Sequence, residues 1–146
     1  MLVQALSSFI VSIGFAILFD APKKSLIHCG FAGMVGWIIY FSATRDGVET
    51  VLASFLASFF IALISHIFAK RYKAPVIIFT VGGIMPLVPG GTAYDAMKHF
   101  VLNQYGLALE LSAQVLLVAG AIALGIIFSE VVNQFYRKVM TSFSRG

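Results

Sequence analysis

MPLVPGGTAYDAM, residues 85–97, decides how the chain is read. Two prolines and two glycines close an otherwise apolar run, and a hydroxyl, a phenol and a carboxylate follow at once. Pro86 and Pro89 each remove a backbone donor and disfavour helix in the residue before them, Met85 and Val88. Gly90 and Gly91 permit backbone angles that other residues accept only at a cost. Thr92 and Asp95 have the T-x-x-D spacing of a capping box, which lets helix resume at Ala93. Beyond it Ala93, Met97, Phe100 and Val101 share one helical face, with Asp95, Lys98, His99 and Asn103 on others. The stretch predicts a half-helix, a break and an amphipathic half-helix.

The rest of the chain says what surrounds that break. Of 146 residues, 60% are hydrophobic and only 11% charged, where a soluble domain carries about 25% charge. The ionisable residues cluster between long apolar stretches, so those stretches have no wet side. Residues 2–19, 26–42, 51–69 and 109–132 each approach the roughly 20 apolar residues that span a hydrocarbon core of about 30 Å. Residues 75–88 would rise only about 21 Å as a helix, short of a crossing by themselves. The reading is an all-α polytopic integral membrane protein, a single domain over residues 1–146, with about five transmembrane helices and a Pro/Gly-broken fourth. The N-terminus lacks the basic start and small-residue cleavage pattern of a signal peptide and reads as a retained helix. If all the segments cross, Lys23, Lys24, Lys70, Arg71, Lys73, Arg137, Lys138 and Arg145 share one side, against Arg45 and Lys98 on the other. A re-entrant fourth segment evens that split, so the positive-inside rule favours crossing, with the N-terminus outside and the C-terminus cytoplasmic.

Broken backbone at membrane depth frees N–H and C=O groups, each costing several kcal/mol against lipid, and is tolerated only inside protein or along a watery cavity. Secondary transporters use such breaks because half-helix ends offer partial charges to solutes. The amides of residues 91–94 point into the break as a resting place for a carboxylate, although the Asp95 carboxylate competes for them. The candidate substrate-binding residues are Pro86, Pro89, Gly90, Gly91, Thr92, Tyr94 and Asp95. The plainer reading is a Pro-Gly stop at the membrane interface.

Little else carries chemistry. Asp20 and Glu130 lie at segment ends, and His28 and His66 lie near boundaries where they reach the headgroups. His28 and Cys29 are adjacent and point to different faces, and His66 and His99 lack a ligand at i+3 or i+4, so no metal or other cofactor is expected. No G-x-S-x-G, H-E-x-x-H or P-loop is present, and no enzyme is expected. The net charge of +4 lies in short loops rather than one stripe, which argues against nucleic acid. Gly30, Gly33 and Gly36, Ala53/Ala57 with Ser54/Ser58, and Ala121/Gly125 read as close-packing faces, with Ser54 or Ser58 also able to line a path. Trp37 and Tyr40 fit an interfacial aromatic anchor near the outer face.

TVGGIMPLVPGGTAYDAM, residues 80–97, resembles the signature of the threonine/serine exporter family, in its small-subunit form that corresponds to the C-terminal half of single-chain exporters. IGFAILFDAPKKSLIHCGFAG, residues 13–33, resembles that family's first hairpin. The P-x-x-P-G core followed by a tyrosine, here Pro86, Pro89, Gly90 and Tyr94, carries most of the likeness, with Thr92 and Asp95 beside it. The resemblance implies a component of a bacterial cytoplasmic-membrane exporter of threonine and serine, or, in split two-subunit members, of a dicarboxylate such as succinate. It also implies a larger membrane subunit resembling the missing N-terminal half. A non-transporting assembly or regulatory subunit is the second reading.

Overall fold

The computed structural model describes the backbone of residues 2–143 and the side chains of residues 3–138; Arg145, counted above among the basic side's residues, lies outside the described residues. Six helices follow one another: α1 (Leu2–Leu18), α2 (Leu26–Arg45), α3 (Thr50–Tyr72), α4 (Val76–Ile84), α5 (Gly90–Val101) and α6 (Tyr105–Phe143), with a single 3-10 turn at Met85–Leu87 between α4 and α5. Among the described residues there is no strand.

Side-chain contacts fix the directions. Ser8 meets Gly33, His28 meets Tyr72, and Phe68 meets Phe79, so α1/α2, α2/α3 and α3/α4 are antiparallel neighbours. Along the α3–α6 seam Phe55 meets Phe128 and His66 meets Asn133, so those two helices run in parallel. α1, α3 and α6 therefore point one way and α2 and α4 the other.

Polarity is inverted relative to a water-soluble bundle. Ser12, Ser54, Ser58, Ser65 and Ser129 are fully buried, while Ile10, Ile27, Ile67, Ile77 and Leu116 are about two-thirds exposed or more. Three of these serines turn the hydroxyl back on their own helix, Ser54 donating to the Thr50 carbonyl at 2.7 Å, Ser58 to the Phe55 carbonyl at 2.9 Å and Ser65 to the Ile61 carbonyl at 2.8 Å, whereas the Ser12 and Ser129 hydroxyls are buried without a partner. Large aliphatic groups outside have lipid as their solvent. The small-residue faces pack as expected, with Gly30, Ala32, Gly33 and Gly36 buried on α2 and Ala53, Ser54, Ala57 and Ser58 buried on α3.

Three helices are long and apolar enough to cross a membrane, and four are if the bent pair α4–α5 counts as one span. α1 has 17 residues and falls below span length, rising about 25 Å. α6 has 39 residues and would extend about 58 Å if straight, beyond any bilayer core. Its first turns run past the start of α3 and pack against α5, so the end of the bundle carries a helical hairpin made of α5 and the beginning of α6.

Candidate functional site

The two prolines do different things. Pro86 sits in the 3-10 turn that directly continues α4, and Met85 before it keeps right-handed helical angles, so this proline forgoes a backbone donor without breaking the helix. Pro89 makes the break. The residue before it, Val88, is extended at φ −63° and ψ 126°, as the clash with the proline ring requires. Pro89 at φ −77° then leads into α5. The Gly90 amide donates to the Val88 carbonyl at 2.7 Å, and the Ala93 amide opens the helical ladder by donating to the Pro89 carbonyl at 3.0 Å. The two halves meet at 55°.

Helix resumes earlier than the capping-box spacing suggests. α5 starts at Gly90, Pro89 occupies the capping position, and no side chain caps the end. Thr92 and Asp95 are already inside the helix, so Asp95 does not occupy the first-turn donors. A proline with φ near −65° pre-sets the entry that a capping threonine otherwise supplies. The amides of Gly91 and Thr92 remain at the open, positive end of α5, because their i−4 partners lie outside the helix. Those of Ala93 and Tyr94 belong to the ladder.

A cavity of about 220 Å³ opens at this end, smaller than the roughly 300–1,000 Å³ of drug-sized sites and suited to a small metabolite. Its walls are Trp37 and Tyr40 of α2, Thr50 and Ser54 of α3, residues 86–92, and Gln114 and Val118 of α6. Pro86, Pro89, Gly90, Gly91 and Thr92 are thus brought together. Tyr94, 70% exposed, and the exposed Asp95 lie on the outer side of α5 and do not line it. None of the lining residues is charged, so the helix end and neutral polar groups supply the field. Ser54 of the α3 face lines this cavity, whereas Ser58 closes against Gly125.

Trp37 and Tyr40 belong to this wall rather than to a lipid-facing belt. Their rings are 5.4 Å apart and pack on the cluster holding Leu87 and Val118. The Trp37 indole N–H is buried with no hydrogen-bond partner, an open donor beside a polar cavity. A second cavity of about 350 Å³, lined by Gln4, Ser7, Ser8, Val11, Trp37, Met85 and Pro86, lies on the α1 side. Trp37 and Pro86 are common to both walls. Sequence reading missed Trp37 because an aromatic near a helix end has the same pattern whether it faces headgroups or a partner helix. In depth, Ser54 stands about 6 Å from the start of α3, and Trp37 about 12 Å from the end of α2. The break therefore lies inside the bundle but toward its α2–α3 end.

The remaining ionisable groups lie elsewhere. His28 stacks within Phe68, Tyr72 and Phe79 and bonds through Nδ1 to the Lys24 carbonyl at 3.1 Å. His99 bonds Gln104 across the α5–α6 turn. His66, 8% exposed, is paired with Glu130 from α6, a partnership that the sequence separation hides. Among the described residues no three His, Cys, Asp or Glu side chains converge for a metal ion.

Helices that bury serine and expose isoleucine, around a broken span with a small uncharged cavity beside it, define a multi-pass membrane protein. Residues 4–132 match the family model described as Threonine/Serine exporter, ThrE, and the chain belongs to that family. A relative from Haemophilus influenzae, known only as an uncharacterized protein, is 29% identical over 146 residues, covering 94% of this chain and 48% of its own length. The chain thus spans about half the length of the curated relative it matches. No solved structure matches it.

Proposed function

We propose that the cavity at the α4–α5 break binds the carboxylate of a small metabolite, threonine, serine or a dicarboxylate such as succinate. In this reading the chain acts as one subunit of an exporter in the bacterial cytoplasmic membrane. The observation that carries the proposal is the pair Gly90 and Gly91. Neither has a positive φ, and a Cβ added to either meets nothing within 4 Å. Two glycines in a helical turn lower helix stability by up to about 1 kcal/mol each relative to alanine. Gly14, Gly106 and Gly120 have equally open surroundings, but of these five only Gly90 and Gly91 line the break cavity, where bare backbone admits close approach of a solute and the Gly91 and Thr92 amides stand ready to receive a carboxylate. The Trp37 N–H, Thr50 and Gln114 supply further donors for the rest of the molecule, and Ser54 Oγ, its proton already on the Thr50 carbonyl, supplies an acceptor.

Tyr94 and Asp95 face outward and contribute through a larger membrane subunit that covers this side of α5, Tyr94 donating its hydroxyl to the solute and Asp95 orienting it. The Haemophilus influenzae relative carries about twice the chain length, room for the further half that this reading assigns to the partner. All five segments cross, α1 by local thinning of the bilayer, which puts the N-terminus outside and the basic Lys70, Arg71, Arg137 and Lys138 end in the cytoplasm.

Efflux of threonine, serine and succinate from cells expressing both subunits tests the site. Gly90→Leu has free space within the chain, so it should reach the membrane at wild-type levels and lower efflux on the order of tenfold or more, by blocking the donors. Tyr94→Phe should lower it less. Unchanged efflux in both variants removes the break from the transport path.

A further inference from the structure

The other end of the α3–α6 seam holds a cluster that the break does not use. His66 Nε2–H donates to Glu130 Oε2 at 3.0 Å, and Asn133 Nδ2–H donates to His66 Nδ1 at 3.2 Å. Glu130 Oε1 accepts from Gln134 at 3.1 Å. The imidazole side chain is 10% exposed and the Glu130 side chain 49%, so the histidine is enclosed while its carboxylate reaches outward. A cavity of about 280 Å³ touches His66, Glu130 and Asn133, giving the pair an aqueous approach. Facing it are Lys70 of α3, Glu130 and Arg137 of α6, and from α4 the apolar Val76. His66 lies about 9 Å from the Tyr72 end of α3, and roughly 18 Å along that helix from Ser54 in the break cavity.

We infer that His66, clasped by Glu130 and Asn133 across the α3–α6 seam, is a binding site for one proton, and that pH acts on export through it. Both protonation states are fully hydrogen-bonded. In the neutral state Nδ1 is an acceptor and the Asn133 amide donates to it, which places the imidazole proton on Nε2 and aims it at Glu130. When a proton from water in the cavity adds to Nδ1, the Asn133 amide turns over, and its Oδ1 accepts from the new N–H. Nε2–H stays on Glu130, and a neutral imidazole beside a carboxylate, a pair of net charge −1, has become an ion pair of net charge zero. Release reverses each step. A leucine or glutamine in place of His66 would pack or hydrogen-bond but could not alternate.

The seam gives the event its reach. α3 and α6 also carry Thr50, Ser54, Gln114 and Val118 of the break cavity, so a change in how tightly His66 holds Glu130 acts on two walls of that cavity. The proton site stands on its own geometry, and its action on export rests on the function proposed above.

The chain labelled with 15N-histidine, in lipid nanodiscs, tests the site without reference to transport. The signal pair absent from His66→Gln is that of His66. As the pH is lowered across the range in which the protein stays folded, its Nδ1 should pass from bare to protonated while Nε2 keeps its proton throughout. An unchanging Nδ1, or a bare Nε2 at high pH, overturns the site. In vesicles holding both subunits, wild-type export should change by up to about tenfold per pH unit on its limiting limb, and His66→Gln should flatten that dependence while retaining export. A His66→Gln profile parallel to wild type overturns the action on export. A titrating His66 in a wild-type complex that exports nothing instead counts against the export reading and leaves the proton site standing.

Discussion

Two sets of glycines, one in the helix seams and one at the α4–α5 break, are built under opposite constraints. At Gly125 a Cβ would lie 2.6 Å from the Phe55 carbonyl oxygen and 3.1 Å from the Phe59 nitrogen, both backbone atoms of α3. At Gly83 it would lie 2.7 Å from Ile61 Cγ2 and 3.2 Å from Ala32 Cβ. These residues are glycine because two helices touch there. At Gly90 and Gly91 there is nothing to touch. In a chain where apolarity is nearly uniform, hydrophobicity cannot separate what folds the protein from what the protein does. Space around each glycine marks the seams, and of the open helical glycines, Gly14, Gly90, Gly91, Gly106 and Gly120, only Gly90 and Gly91 line the break cavity.

Gly125→Val is the harshest test of the first set. The obstructing atoms belong to the α3 backbone and cannot rotate away, so α3 and α6 must part along their longest seam. The cost should be about 3 kcal/mol or more, near the upper end of overpacking, read as a loss of folded chain in the membrane or a sharply lower unfolding temperature in detergent. A variant that accumulates and unfolds like wild type shows the seam to be looser than its distances. Gly83→Ala should cost less, about 1–2 kcal/mol, because its tight contacts are side-chain atoms of Ile61 and Ala32 rather than the backbone of a neighbouring helix. Equal losses at Gly83 and Gly125 erase the distinction between side-chain and backbone obstruction.

Much of the helical plan was legible in the sequence, because apolar length against bilayer thickness is a strong constraint. The start of α2 and the whole of α3 follow from it, as do the packing faces of Gly33, Ala57 and Gly125. The number of crossings was less legible: α1 is too short by itself, and α4 with α5 makes one span only if a 55° bend is allowed. Locally, the break was foreseen and its mechanics were not. A T-x-x-D spacing looks the same whether or not a proline has already begun the helix, so Thr92 was read as a cap and Pro86 as a breaker. The cavity's other walls were invisible for a different reason. Trp37, Thr50, Ser54 and Gln114 come from three helices, and no local pattern says that they meet. The pairing of His66 with Glu130 is the same case at longer range.

The smallest structural effect carries the largest functional weight. Gly90→Ala and Gly91→Ala add a methyl group to open space at ordinary helical angles. By restricting the unfolded chain and raising helix propensity, each should leave stability unchanged or raise it by up to about 1 kcal/mol. If the glycines exist for a solute, the same methyl groups stand between it and the Gly91 and Thr92 amides, and efflux falls in proteins at least as stable as wild type. No packing defect mimics that combination, since a defect lowers both quantities together. Full efflux from the double variant would mean that the open space is spare room and that the carboxylate, if one binds, is held from another wall.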